Sequence, residues 1–108
     1  MSRPYSPEIR HLQSPEDPFF IQARLVSDAA HHYELSWSDI GQHYIAMAPD
    51  KLNSIAGIIQ VINTAGHQHR RSGYRERHIT RLAVDAAYRQ RGIGSTLYKK
   101  IPYYRTMA

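Results

Sequence analysis

The sequence predicts an α/β (α+β) domain, a mixed and mostly antiparallel sheet flanked by helices. Three observations carry that expectation. Strand-like apolar stretches lie at 43–48, 55–62 and 78–84, a segment from about 15 to 31 has helical spacing, and a Gly-spaced basic turn joins the last strand to a final helix. At 108 residues, with 42% hydrophobic and 21% charged side chains, the chain reads as one globular domain over 1–108. No apolar run approaches the roughly 20 residues that span a bilayer. The start, Met-Ser-Arg-Pro-Tyr-Ser-Pro, has no apolar core of a signal peptide, so a cytoplasmic location is expected. The absence of cysteine excludes disulfides, thiolate nucleophiles and thiolate metal sites.

Glu8 to Leu12 reads as a first short strand. Ser14-Pro15-Glu16-Asp17 reads as a helix start, with Ser14 as N-cap, Pro15 at the first helical position and Asp17 at capping-box spacing. Pro18 is tolerated because it still falls in the first turn. Phe19, Ala23, Val26 and Ala30 then share one helical face. Within Tyr33–Gln42, Ser36 or Ser38 is placed to cap a short second helical turn, and Phe19, Phe20 and Trp37 read as core. His43 to Ala48 is a strand, and Pro49 to Asn53 a turn rich in the residues turns use. The nearly continuous apolar run Ile55–Ile62 predicts a central strand, paired as an antiparallel hairpin with the one before it. Asn63 to Gly73 is a polar loop.

The next stretch carries the chemistry. His78 to Val84 alternates polar and apolar residues as a half-buried strand does, Asp85-Ala86-Ala87 connects, and Arg89-Gln90-Arg91-Gly92-Ile93-Gly94 leads into a helix from Ser95 to Ile101. Ile93, Leu97 and Ile101 recur every four residues, and Lys99 and Lys100 lie near the helix end, where the macrodipole favours cations. A helix N-terminus offers unpaired N–H groups to an anion, and glycines let a ligand reach the backbone. Arg89 and Arg91 add forked cationic donors suited to phosphate oxygens. The implied ligand carries at least a pyrophosphate. The stretch lacks the Gly-Lys-Ser/Thr ending of a Walker loop. It also lacks the three-glycine spacing of a dinucleotide fold, with no acid about 20 residues on.

Arg89-Gln90-Arg91-Gly92-Ile93-Gly94, with Leu82-Ala83-Val84, Asp85 and Tyr88 upstream, resembles the acyl-CoA signature Arg/Gln-x-x-Gly-x-Gly/Ala of the GNAT superfamily of N-acetyltransferases. Gly57 also falls where members often carry glycine. The resemblance covers about residues 8–101 and implies a GNAT-like sheet, acetyl-CoA as co-substrate and an amine acceptor. It implies that the backbone of Leu82, Ala83 and Val84 hydrogen-bonds the pantetheine arm, and that Arg89, Gln90, Arg91, Gly92, Ile93, Gly94 and Ser95 hold the pyrophosphate. The family continues with a further strand and helix, whereas here Pro102 follows the helix and the chain stops at Ala108. The resemblance therefore implies a domain truncated after the cofactor-binding helix, with a homodimer or swapped assembly covering the open sheet edge.

In that family an acceptor amine must lose a proton before it attacks the thioester. Glu76 and His78 lie six and four residues before Leu82, so on a regular strand all three side chains share a face, and both are candidate bases. His78 has the suited intrinsic pKa, and Glu76 needs its own raised. No metal site is expected: His67-Gln68-His69 with His78 has no acid at ligand spacing. Tyr103-Tyr104 reads as packing or tail. Charge is uneven: residues 70–108 hold ten Lys or Arg and two acids, against four and seven in residues 1–69. A polyanionic cofactor explains that bias. The alternatives are a small basic nucleic-acid-binding module, for which Arg70–Arg77 supplies charge and one aromatic but no motif, or a non-catalytic interaction module.

Overall fold

The apolar run that starts at Ile55 forms an inner strand, Ile55–Thr64, and every residue from Ile55 to Val61 is buried. The structure, a computed structural model, describes residues 7–31, 33–64 and 76–100, without the side chains of Asn63, Thr64, Glu76 and Arg77. In chain order the elements are β1 (Ile9–Leu12), α1 (Pro18–Ala30), β2 (Gly41–Met47), β3 (Ile55–Thr64), β4 (Glu76–Val84) and α2 (Ile93–Lys99), with a 3₁₀ turn over Ala86–Tyr88 before α2. Among the described residues the sheet runs β1-β2-β3-β4, each neighbour antiparallel. The predicted mostly antiparallel sheet with flanking helices is therefore what the chain forms. The loop histidines at 67 and 69, most of the basic run and Ile101 onward, including Tyr103 and Tyr104, lie outside the described residues.

Each face of the sheet has its own core. On one, Phe20 and Ala23 of α1 pack on Leu12, Ile45, Met47, Ile55, Ile58 and Ala83, with Leu35 from the following loop. On the other, Ile93 and Leu97 of α2 pack on Ala46, Ala56, Ile59 and Val61. The apolar alternation of the strands thus feeds two layers rather than one. Gly57 sets how close α2 comes. A Cβ there would lie 3.1 Å from the Ala83 carbonyl oxygen, 3.2 Å from Ile93 Cγ2 and 3.2 Å from Leu97 Cδ1. The two side chains can give way, but the carbonyl belongs to the adjoining strand. We therefore expect Gly57→Ala to cost about 1–3 kcal/mol, read as a melting temperature several degrees lower. An unchanged melting temperature would show that α2 rides higher than the contacts imply.

Several local expectations are corrected. The first helix starts at Pro18, not near Pro15, because Asp17 is the N-cap and its carboxylate accepts from the Phe19 amide at 2.9 Å. Ser14 caps a tighter turn instead, its hydroxyl taking the Glu16 amide at 3.0 Å. The buried stripe of α1 is Phe20, Ala23 and Ser27, while Phe19 and Val26 pack at its margin and Ala30 is exposed. No second helical turn forms within 33–42 among the described residues: the chain runs irregularly to a turn at Asp39 and Ile40. There Leu35 is drawn into the core, and its amide donates to the Asp28 carboxylate at 3.2 Å. Phe20 is buried, and Phe19 and Trp37 pack against the same cluster, as expected of core aromatics.

A β-bulge alters the strand that carries the signature. Gln60 pairs with Arg81, but Val61 pairs with Ile79, which leaves Thr80 without an opposite residue. Its hydroxyl turns back to Gln60, donating to the carbonyl oxygen at 3.2 Å or to Oε1 at 2.8 Å. An inserted residue reverses strand parity. His78 opposes Ile62 while Leu82 opposes Ile59, so even spacing no longer puts His78 and Leu82 on one face. Glu76 opposes Thr64 at the far end of the strand.

Candidate functional site

β4 is an edge strand among the described residues, and its outer edge defines the site. The Asp85 amide donates to the Ala56 carbonyl at 2.8 Å, so by alternation Leu82 and Val84 aim their backbone groups away from β3 while Ala83 aims inward. Ala83 is buried in the α1-side core, and Leu82 and Val84 pack beside the α2-side core. The Leu82, Ala83 and Val84 of the signature therefore divide between two jobs, with Leu82 and Val84 alone presenting main chain outward.

Both outward carbonyls already meet a side chain. Nε2 of His31 lies 3.3 Å from the Leu82 carbonyl oxygen, and Nε of Arg89 donates to the Val84 carbonyl oxygen at 3.3 Å. His31 comes from 51 residues away in sequence. It is the C-cap of α1, where its own amide donates to the Ser27 carbonyl at 3.0 Å. Beside this edge, Leu25, Val26 and Ala29 of α1 face Val84, Asp85, Ala86 and Arg89 across a groove of about 250 Å³.

The turn into α2 is built by capping and by left-handed backbone. Asp85 caps the 3₁₀ turn through its carboxylate and the Ala87 amide, at 2.9 Å. The Tyr88 hydroxyl donates to the Asp50 carboxylate at 2.6 Å, which holds the phenol above its ordinary value and ties this turn to the β2–β3 connection. Gln90 at φ 65° and Gly92 at φ 78° both take the left-handed region, which is strained for the first and free for the second. Gly92 is the N-cap of α2 with no side chain capping the helix. A Cβ on Gly92 would meet nothing within 4 Å, so the backbone there faces open space.

Around that turn the signature residues separate. Arg89, Gln90, Arg91, Gly92 and Ser95 are exposed and Gly94 is half-buried against Val84, whereas the Ile93 side chain is in the core. The Arg91 guanidinium lies 5.5 Å above the Tyr88 ring. The structure therefore brings Leu82, Val84 and the exposed turn residues to one end of the sheet. At about 3.3 Å per residue, His78 lies roughly 13 Å back along the strand from Leu82, and Glu76 farther still.

Sequence patterning missed two residues here. Arg81 is 4% exposed. It donates to the Ser27 hydroxyl at 2.8 Å, the Tyr33 carbonyl at 2.9 Å and the Glu34 carbonyl at 3.3 Å, and its guanidinium stacks 4.0 Å from the Tyr33 ring. It thereby fastens the segment after His31 to β4. His31 itself reads as an ordinary polar residue at a helix end. A cation at an inward strand position was the one available signal for Arg81, and nothing local marked His31.

The sequence profile of the acetyltransferase (GNAT) family matches residues 6–101. No curated protein matches the chain. Among solved structures the fold is similar to an aminoglycoside acetyltransferase, meta-AAC0020 from an uncultured soil metagenomic sample, in complex with sisomicin. The TM-score is 0.67 at 20% identity, over 85% of this chain and 64% of that one. The trehalose complex of that enzyme gives the same TM-score of 0.67, identity of 20% and coverage of 85% and 64%. The chain thus spans 64% of the length of these solved enzymes, and the likeness at that identity is one of fold.

Proposed function

The chain belongs to the GNAT acetyltransferase family, and from that premise we propose that it is an acyl-CoA-dependent N-acetyltransferase, moving acetyl from acetyl-CoA to an amine. One observation supports this above the rest: the outer edge of β4, which pairs with no further strand among the described residues, runs directly into an arginine-flanked glycine turn with no side-chain cap. An extended amide-bearing arm fits such an edge as an added strand does, and a diphosphate fits a turn of exposed amides with guanidinium donors beside it. Leu82 and Val84 would hold the arm, with Ala83 fixing the strand from its buried side. Arg89, Arg91 and the backbone of Gln90 to Ser95 would hold the diphosphate. The bound cofactor supplies an activated thioester carbonyl; the protein orients it along the outward edge of β4.

A second copy of the chain, as a homodimer or swapped assembly, is the occupant we propose for whatever length of sheet edge the arm leaves uncovered. Light scattering that shows a monomer at tens of micromolar would remove that part. No helix among the described residues is long and apolar enough to cross a membrane.

Calorimetry with CoA tests the central proposal. Saturable binding at sub-millimolar concentration is expected, weakened about tenfold to a hundredfold by Arg91→Glu through loss of a charge-assisted contact. No heat at millimolar CoA overturns it, and equal affinity in the Arg91→Glu variant moves the diphosphate elsewhere. The acceptor is an amine, and sisomicin belongs in the panel because the fold neighbours are aminoglycoside enzymes. A gel shift with steep salt dependence, alongside silent calorimetry, would favour a nucleic-acid module instead.

A further inference from the structure

We infer that His31 is the general base of the transfer, an assignment that rests on the acetyl-CoA function proposed above. An amine acceptor at neutral pH is an ammonium ion and needs a proton acceptor beside the thioester. His31 and Arg89 hydrogen-bond to the outward carbonyls of Leu82 and Val84, and of these two a guanidinium accepts no proton. His31 is held from two sides. Its amide is tied to Ser27, and its ring is tied to β4.

The ring contact also selects the tautomer. A carbonyl oxygen can only accept, so in the neutral ring the nitrogen 3.3 Å from Leu82 O carries the hydrogen, and the lone pair resides on Nδ1. No hydrogen bond to Nδ1 forms among the described residues. An imidazole oriented by a carbonyl through one nitrogen, with the other left basic, has the arrangement that general-base catalysis uses. The surrounding chain is fixed by Arg81, which clamps Tyr33 and Glu34, and the Tyr33 ring lies 6.1 Å from the His31 ring.

The step balances as follows. The acceptor ammonium gives one proton to Nδ1 of His31, which returns it to solvent. The freed lone pair forms the C–N bond to the acetyl carbonyl carbon, and the C–S bond breaks. The second proton lost from nitrogen leaves with the thiolate as the CoA thiol. An amide, free CoA and one released proton account for every atom.

Nitrogen-15 NMR of the free, full-length chain gives a readout independent of turnover. The neutral ring of His31 is expected to carry its hydrogen on Nε2, and a neutral ring protonated on Nδ1 alone overturns the inference. In acetyl transfer from acetyl-CoA to a panel of primary amines that includes sisomicin, His31→Ala is expected to lower kcat about a hundredfold or more. Its CoA affinity by calorimetry should stay within about threefold, and millimolar imidazole should restore part of the rate. His78→Ala should leave kcat within about threefold. A His31→Ala protein that turns over normally, or merely binds CoA more tightly, makes the residue a placeholder on Leu82 and sinks the assignment. CoA binding with no transfer by the parent chain overturns the base but leaves the cofactor site standing. No CoA binding removes both.

Discussion

Taking the protein from pH 7 to pH 4 is expected to remove about 3 kcal/mol of stability through His43 alone. This side chain on β2 is fully buried, stacked on Trp37 at 4.0 Å and met edge-on by Phe20 at 6.0 Å. Its Nε2 faces two donors, the Ser38 amide at 3.3 Å and Nε2 of Gln60 at 2.9 Å. The Gln60 amide is oriented by the Ser36 carbonyl at 2.6 Å and the Thr80 hydroxyl at 2.8 Å, so its NH₂ end does point at the histidine. Nε2 must therefore be the acceptor, the proton is on Nδ1, and Nδ1 is buried with no partner among the described residues.

Burial, and secondarily the charge of His11, pushes His43 from 6.5 down to about 4. Above 6.5 the ring is neutral in folded and unfolded chains alike. Between 6.5 and 4 the unfolded chain takes up a proton that the folded one refuses, so stability falls as pH falls through this window. Urea unfolding of the parent chain and of His43→Met at pH 7, 5.5 and 4 isolates the effect from the other histidines. The two stability curves should converge on acidification. Parallel curves would mean that water reaches the ring.

Replacing Arg81 with alanine is expected to cost about 3 kcal/mol or more. The side chain makes three donor contacts, to Ser27, Tyr33 and Glu34, and covers the Tyr33 ring. Among the described residues its partners are a hydroxyl, two carbonyls and a phenol ring, and Nε is buried without a partner. The folded state thus holds a desolvated cation whose interest is geometric rather than ionic. Alanine leaves two carbonyls without donors beside an emptied volume. Arg81→Met refills the volume and should recover part of the loss, whereas Arg81→Lys cannot reproduce a fork that reaches two carbonyls. Denaturant midpoints rank the variants, and amide exchange should quicken at Tyr33 to Leu35 in the alanine form. An alanine variant within 1 kcal/mol of the parent would show that the 33–35 segment is held by Leu35 alone.

What the sequence revealed was local, and what it hid was not. The apolar run at 55–62 and the hairpin with the strand before it have a signal confined to adjacent residues and form as expected. The turn from Arg89 also forms, but it ends at Gly92, and α2 starts at Ile93, two residues before the expected Ser95. The start of α1 slipped by three residues because Ser14 and Asp17 are equally good caps and Pro15 and Pro18 equally good first residues; only the competing Ser14–Glu16 contact separates them. Thr80 reads as an ordinary strand residue, since threonine favours strands whether paired or bulged. Among residues whose roles depend on distant partners, His31 with Leu82 and His43 with Gln60 had no pattern to betray them, and Arg81 with Ser27 showed only a cation at an inward strand position.

The supernumerary threonine in β4 carries a lesson for recombination. With one residue too many, the strand is two short segments of opposite phase spliced at position 80, and each keeps its own inside and outside. A chimera whose crossover falls between 79 and 81 must conserve the residue count. Dropping one position would force a segment to swap faces, either turning Arg81 toward α2 and Leu82 under α1, or inverting everything upstream of the splice.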